Sequence, residues 1–319
     1  MEKETFTPLV SVIIPVYNGA DYMREAIDSA LAQTYKNKEI IVVNDGSSDN
    51  GETERIAKQY GDKIRYIYKE NGGVSSALNT GIRNMRGEYF SWLSHDDVYT
   101  PDKIEKQIKA LSDIENKTTL VCCDYVHIDK NSKVIGNISR ASDGVKLLSW
   151  EEMLVSLFKN GPMHGCALLI NKSIFEEVGM FDESLRYFQD VFMWYKIFVA
   201  KHAMLSTSDI CVKGRIHDKQ LTQKGHLLFR KDSETVSAVI IPQLLQISTK
   251  KNNFLFEYVK YNAKYGNRRI VKNVRTQAKG TKLIGTKETL TISLMSIYSV
   301  IRPIIRKIFY RVFRRINIA

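Results

Sequence analysis

The first hundred residues alternate two patterns that together exclude an all-helical or an all-strand chain. Short β-rich runs, Val10–Val16, Glu39–Val43, Ile64–Tyr68 and Glu88–Leu93, read as strands, the first two buried on both faces. Between them apolar residues fall on helical stripes. Met23, Ala26, Ile27, Ala30 and Leu31 form one, and Val74, Ala77, Leu78, Gly81, Ile82 and Met85 another, with a polar helix over Gly51–Tyr60. Thr100 and Pro101 read as N-cap and first residue of a helix whose apolar face is Ile104, Ile108 and Leu111. The β-α-β-α-β-α-β order predicts an α/β fold, a mostly parallel sheet flanked by helices.

Ligands of such sheets sit beyond the carboxyl ends of the strands. Pro15-Val16-Tyr17-Asn18, Asn44-Asp45 and Ser94-His95-Asp96-Asp97 each lie at such an end. Three polar clusters far apart in sequence are therefore expected on one edge of the sheet.

From about residue 118 the pattern changes. Strand-like runs (Thr119–Ile128, Ala167–Ile170) mix with helices (Trp150–Phe158, Lys172–Val178), and Asp190 opens a stripe of Val191, Trp194, Tyr195, Phe198 and Val199. Gly214–Gly225 is polar and reads as a mobile loop. With 319 residues and 44% apolar side chains, the chain is long enough for a large core. Its four cysteines lack paired metal spacing and read as reduced thiols of a cytoplasmic protein.

The site candidates carry open alternatives when each is taken alone. Asp96-Asp97 suits Mg²⁺ or Mn²⁺, or is an acidic pair favoured by a helix dipole. Asp45 can accept from a nucleobase or ribose, or close an Asx turn. Asn71-Gly72-Gly73 opens a helix whose N–H groups can hold phosphate, or is an ordinary turn. Asp190, beside Gln189, is a general base for an acceptor hydroxyl or a helix cap. His217 is a metal or phosphate contact or a solvated side chain, and His95 and His164 are equally ambiguous.

Taken together, five ordered segments resemble family 2 glycosyltransferases with the GT-A fold. They are Ser11–Asn18, Ile40–Asp49, Glu70–Ile82, Trp92–Asp97, and Phe181–Leu185 leading to Gln189-Asp190, within a likeness that spans about residues 8–225. The resemblance implies inverting transfer from a nucleotide-diphospho-sugar, with a UDP-sugar expected, to a glycan or lipid-linked acceptor in surface polysaccharide synthesis. It places Pro15, Tyr17, Asn18, Asp45, Asn71, Gly73, Ser94, His95 and Asp96 around the donor, and Asp97, His164 and Gln189 near the acceptor. It makes Asp190 the catalytic base, and Asp96 with His217 the holders of Mn²⁺ or Mg²⁺. Two departures stand out: Ser94 occupies the first position of the Asp-x-Asp metal motif, and Leu78 stands where many relatives have arginine. Other enzyme and non-enzyme readings are a nucleotidyltransferase, which would want a Gly-rich basic loop where Pro15–Asn18 stands, and a catalytically weak or inactive scaffold at the membrane.

The resemblance divides the chain into a transferase domain, 1–225, whose nucleotide-sugar half covers about 8–100 and acceptor half 101–225, and a helical basic extension, 226–319. Residues 251–319 hold 16 Lys/Arg against 2 Glu, whereas the first 250 carry 31 basic and 33 acidic residues. Leu294, Ile297, Ile301, Ile305, Ile308, Val312 and Ile316 recur every three or four residues with Lys and Arg interleaved, a basic amphipathic helix with a kink expected at Pro303. Its expected partner is an anionic membrane surface, making the protein cytoplasmic and peripheral on the inner face of the cell membrane; packing on the catalytic domain or on a partner chain is the alternative. No nucleic-acid recognition motif, signal peptide or spanning segment is read from the sequence.

Overall fold

The computed structural model describes residues 6–138, 144–218, 220 and 226–300. The chain divides into two compact units, one of Met1–Met153 and Pro162–His226, the other of Leu154–Gly161 and Leu227–Ala319.

In the first unit, β1 (Val10–Val16), β2 (Lys38–Asp45), β3 (Arg65–Lys69) and β4 (Tyr89–Trp92) form a parallel block in the order β3-β2-β1-β4. Connecting them are α1 (Met23–Leu31), α2 (Glu52–Lys58) and α3 (Val74–Asn84). The alternation seen in the sequence is thus a set of parallel crossovers. All seven residues of β1 are buried, as a strand covered on both faces requires.

The sheet continues through β9 (Leu168–Asn171), antiparallel to both β4 and β6 (Leu120–Ile128), to β10 (Met204–Arg215), which runs parallel to β6. From β3 to β10 only β9 is therefore reversed. The short β5 (Val98–Tyr99) and β8 (Lys146–Leu148) pair antiparallel with β10, and β7 (Val134–Ile138) with β6. Helices α4 (Lys103–Ser112), α5 (Trp150–Asn160), α6 (Lys172–Val178) and α7 (Gln189–Val199) complete the order of elements up to β10.

Two local readings need correction. Helix α4 starts at Lys103 with Asp102 in the capping position. Thr100 does not cap it: its hydroxyl donates to Asp102 Oδ1, and its carbonyl accepts from Gln33 Nε2 at 2.6 Å. Gly214 and Arg215, read as the start of a loop, are the last residues of β10, paired with His127 and Ile128. Residues 219 and 221–225 of that loop lie outside the described residues.

The second unit contains the end of α5 and three further helices, α8 (His226–Ile247), α9 (Phe254–Lys264) and α10 (Arg268–Gln277), with helix again over 286–300. Phe158 meets Tyr258 edge-on at 5.0 Å between centroids, and Tyr258 shares its hydroxyl with Ser237. Leu290, Leu294, Ile297 and Tyr298 are more than half exposed. The stripe expected at Ile301, Ile305, Ile308, Val312 and Ile316, with its arginines and Pro303, lies outside the described residues.

Candidate active site

The carboxyl ends of β1, β2 and β4 do converge. After β1 the chain turns through Asn18, whose φ of 50° is in the left-handed region that asparagine tolerates. Asn18 Oδ1 accepts from Ser48 N at 2.7 Å and its own N–H donates to Ser47 Oγ at 2.9 Å, so the loops after β1 and β2 are laced together. Tyr17 is 46% exposed and its hydroxyl is 3.3 Å from Ser48 Oγ, leaving the ring face open. Pro15 is buried opposite Val43, and its carbonyl bonds His95. Burial is the main reason that the His95 imidazole titrates below its ordinary value, which favours the neutral ring.

Asp45 ends β2 and is nearly inaccessible. Its Oδ1 accepts from Lys69 Nζ at 2.8 Å and from Gly72 N at 3.0 Å, and its Oδ2 from Gly73 N at 2.7 Å. The Asn71 amide donates to the Asp45 carbonyl. The N–H groups of Gly72 and Gly73, read from sequence as a phosphate cradle, thus hold Asp45 instead. Gly73 sits at φ 89°, ψ 172°, a region that is essentially glycine-only.

Gly73 also touches the segment before α7. Arg186 Nη1 donates to the Gly72 carbonyl at 3.0 Å, and a Cβ at Gly73 would overlap its guanidinium. Asn79 of α3 donates to the Phe181 carbonyl at 2.8 Å and accepts from its N–H. Phe181 in turn packs against Trp92 of β4 and Trp194 of α7. These contacts hold the start of α7, and with it Gln189 and Asp190, against the donor-side elements. Leu78, at the position where arginine was noted as missing, is fully buried in the core.

Asp190 lies in the first turn of α7, where its Oδ1 accepts from Val191 N at 2.7 Å. Burial pushes its carboxyl up from the ordinary aspartate value to about 6. A carboxylate at that value is still mostly ionised at pH 7, yet binds a proton more tightly than a solvated aspartate. Gln189 Oε1 is buried without a hydrogen-bond partner among the described residues.

At the end of β4, Asp96 Oδ2 lies 3.0 Å from His217 Nε2. Gln220 Nε2 is 3.4 Å from the same oxygen, and Tyr22 lies over the His217 ring. Burial raises the Asp96 carboxyl, but His95, His217 and hydrogen bonds outweigh it, and the net position is below the ordinary carboxylate value. The pair fits a divalent ion: two ligands of an octahedral ion at about 2.1 Å are separated by about 3.0 Å. Asp97 faces inward. Its Oδ1 accepts from Arg215 N at 2.9 Å and its Oδ2 from the Cys166 thiol at 3.2 Å, with His164 Nε2 3.6 Å away. Burial first, then the charge of Asp96, pushes Asp97 up to about 8. It is 4% exposed, so an acceptor would meet the half-buried His164 rather than Asp97.

Three side chains here went unread in the sequence. Lys69 pairs with Asp45 and Cys166 with Asp97. Arg215, with a fully buried side chain, donates to the Asp96 carbonyl at 2.8 Å, to Ser132 Oγ at 2.9 Å and to Glu25 Oε2 at 2.7 Å. Its only local signal is its place two residues before His217.

The profile described as "Glycosyl transferase family 2" matches residues 11–179. An uncharacterized glycosyltransferase of Rickettsia typhi is 54% identical over 224 residues, 70% of this chain and 68% of that protein. The chain belongs to glycosyltransferase family 2. A relative in Rickettsia bellii is 55% identical over 222 residues, but this chain spans only 31% of its length. Among solved structures, Staphylococcus aureus TarS 1-349 in complex with UDP-GlcNAc superimposes with a TM-score of 0.65 at 16% identity, covering 92% of this chain and 81% of that one. At that identity the likeness speaks for the fold, and the fold is GT-A, as the five sequence segments imply. The chain is accordingly a glycosyltransferase.

Proposed function

We propose that the enzyme transfers a sugar, with inversion, from a UDP-sugar to a hydroxyl of a glycan or lipid-linked acceptor in surface polysaccharide synthesis. The observation that carries this reading is the meeting at Gly73. Asp45 grips its N–H from the end of β2, while Arg186, four residues before Asp190, lies against it from the other side. A donor seated on the loop that Asp45 holds would therefore lie beside the segment that carries Asp190. The choice of UDP is supported by TarS, which is described with UDP and with UDP-GlcNAc. The polysaccharide role is supported by 38% identity over 135 residues to a chondroitin synthase of Pasteurella multocida, 41% of this chain and 14% of that one.

In this reading Tyr17 stacks on the base, Asp45 holds the Gly72-Gly73 loop beside it, and Asn18, Asn71, Ser94 and His95 line the nucleotide and diphosphate. Asp96 and His217 would hold Mn²⁺ or Mg²⁺, which supplies charge stabilisation to the leaving diphosphate. Asp190 takes the acceptor's proton as its oxygen bonds the anomeric carbon, the bond from that carbon to the diphosphate breaks, and UDP departs. One displacement leaves no sugar on the enzyme. Gln189 and His164 orient the acceptor.

The second unit supports attachment to an anionic membrane. Its exposed Leu290, Leu294 and Ile297 lie within a segment, residues 251–319, that carries a balance of +14. Among the described residues no helix is long and apolar enough to cross a membrane.

A thermal-shift panel of UDP-, GDP- and dTDP-sugars, with and without Mn²⁺, tests the donor. A ligand at about a hundredfold its Kd stabilises the folded state by about 2.7 kcal/mol, a readable rise in Tm. UDP-sugars should raise Tm, more so with Mn²⁺. A response confined to another nucleotide, or to none, contradicts the reading.

A further inference from the structure

We propose that Asp97, His164 and Cys166 form a second metal site, one that takes a thiophilic divalent cation such as Zn²⁺ and is separate from Asp96 and His217. One ligand atom from each of the three lies within 4.8 Å of the other two. Cys166 Sγ is 3.2 Å and His164 Nε2 3.6 Å from the same oxygen, Asp97 Oδ2. A tetrahedral zinc with ligand bonds of about 2.0–2.3 Å has ligand-to-ligand edges of roughly 3.3–3.5 Å. Two edges of that tetrahedron are therefore already present, to within a few tenths of an ångström.

The scaffold holds these atoms firmly. Arg215 N engages Asp97 Oδ1, which leaves Oδ2 aimed at the thiol. Gly165–Ala167 form a tight turn, closed by Ala167 N donating to the His164 carbonyl, that places His164 and Cys166 on either side of Gly165. Any side chain at Gly165 would collide with the Trp92 ring, so the turn is pressed against the end of β4, four residues before Asp96. The His164 side chain keeps 24% of its surface accessible while Asp97 keeps 5%, so the histidine is the side of entry and the one ligand with room to adjust. Ser94 Oγ, 3.5 Å from Cys166 Sγ, stands beside the fourth position.

Donor chemistry separates the two sites. Thiolate and imidazole favour Zn²⁺ and Co²⁺ over Mg²⁺ and Mn²⁺, whereas Asp96 and His217 offer no sulfur. On binding, the Cys166 S–H bond breaks, the sulfur lone pair goes to the metal, and the proton is released to solvent. The site borrows His164, proposed above to orient the acceptor, but uses none of Asp45, Asp96, His217 or Asp190.

Titration of the full chain with Co²⁺ reads the site directly. A thiolate-to-cobalt charge-transfer band in the near ultraviolet should saturate at one ion per chain and disappear on adding Zn²⁺. Cys166→Ser should abolish the band. His164→Gln, a change at a half-buried side chain that the fold tolerates more readily, should weaken binding at least about tenfold. Asp96→Asn and His217→Ala should keep the band. Absence of the band in the unaltered protein, its persistence in Cys166→Ser, or its loss in Asp96→Asn or His217→Ala would each overturn the proposal.

Discussion

His217 Nε2 lies 3.0 Å from Asp96 Oδ2, although 121 residues separate the two in sequence. The pair closes one edge of the cleft at the end of β4 and combines an imidazole with a carboxylate kept ionised by its surroundings. His217→Ala and Asp96→Asn should each remove most of the extra thermal stabilisation that Mn²⁺ gives in the presence of UDP. Metal-free Tm should change little for His217→Ala. A Mn²⁺ response equal to that of the parent in both variants would take the ion away from this pair.

Gly73→Ala should be damaging in two ways. It forces alanine into a backbone region that costs of order 1–3 kcal/mol, and it pushes Arg186 off Gly72. Urea denaturation should show the stability loss, and UDP titration calorimetry a weaker affinity, because Gly73 N–H holds Asp45. Gly51→Ala, where no neighbour lies within reach of a Cβ, should show the backbone cost alone.

Arg215→Met should cost roughly 2–4 kcal/mol in chemical denaturation, since it leaves the Asp96 and Asp129 carbonyls and Ser132 without their buried donor. Arg215→Lys should recover part of the loss, as one ammonium cannot span all of these acceptors. A Tm unchanged by Arg215→Met would remove this residue as the organiser of the β4 and β10 ends.

The donor half was legible because local rules and burial agree there. The stripe of Met23, Ala26, Ile27 and Ala30 is the buried face of α1, and the β-branched run Val10–Val16 is β1. Strand β10 escaped notice because register shifts between Ser206 and Val212 break its two-residue alternation. The two-residue β5 carries no period at all. Lys103 and Arg215 are residue types mostly found at the surface, yet both are buried: Lys103 donates to Ser91 and Gln107 and lies over the Tyr99 ring. Burial of a charge is decided by partners far away in sequence, here Ser91 on β4 and Glu25 on α1, and no local pattern announces it. Cys166 likewise acquires meaning only when β9 is laid beside β4 and β6.

The pH profile follows from the raised Asp190 carboxyl. A base that titrates at about 6 is protonated as pH falls, so kcat should drop about tenfold between pH 7 and pH 5. Stability moves the other way. The folded-state value lies above the unfolded one, so the Asp190 contribution is fully present below the unfolded value and is lost as pH rises through about 6. Asp190→Asn should therefore raise Tm at pH 7–8 relative to the parent, an advantage that vanishes near pH 4.

Sugar transfer by Asp190→Asn is the most direct measurement. UDP release from the donor that responds in the thermal-shift panel, followed in the presence of acceptor, should fall about 100- to 10,000-fold. Calorimetric affinity for the same nucleotide-sugar should stay within about twofold of the parent, since Asp45 and the Gly73 loop are untouched. Turnover at the parental rate would show that the proton goes elsewhere and that Asp190 is a helix-terminal acid with no part in the chemistry.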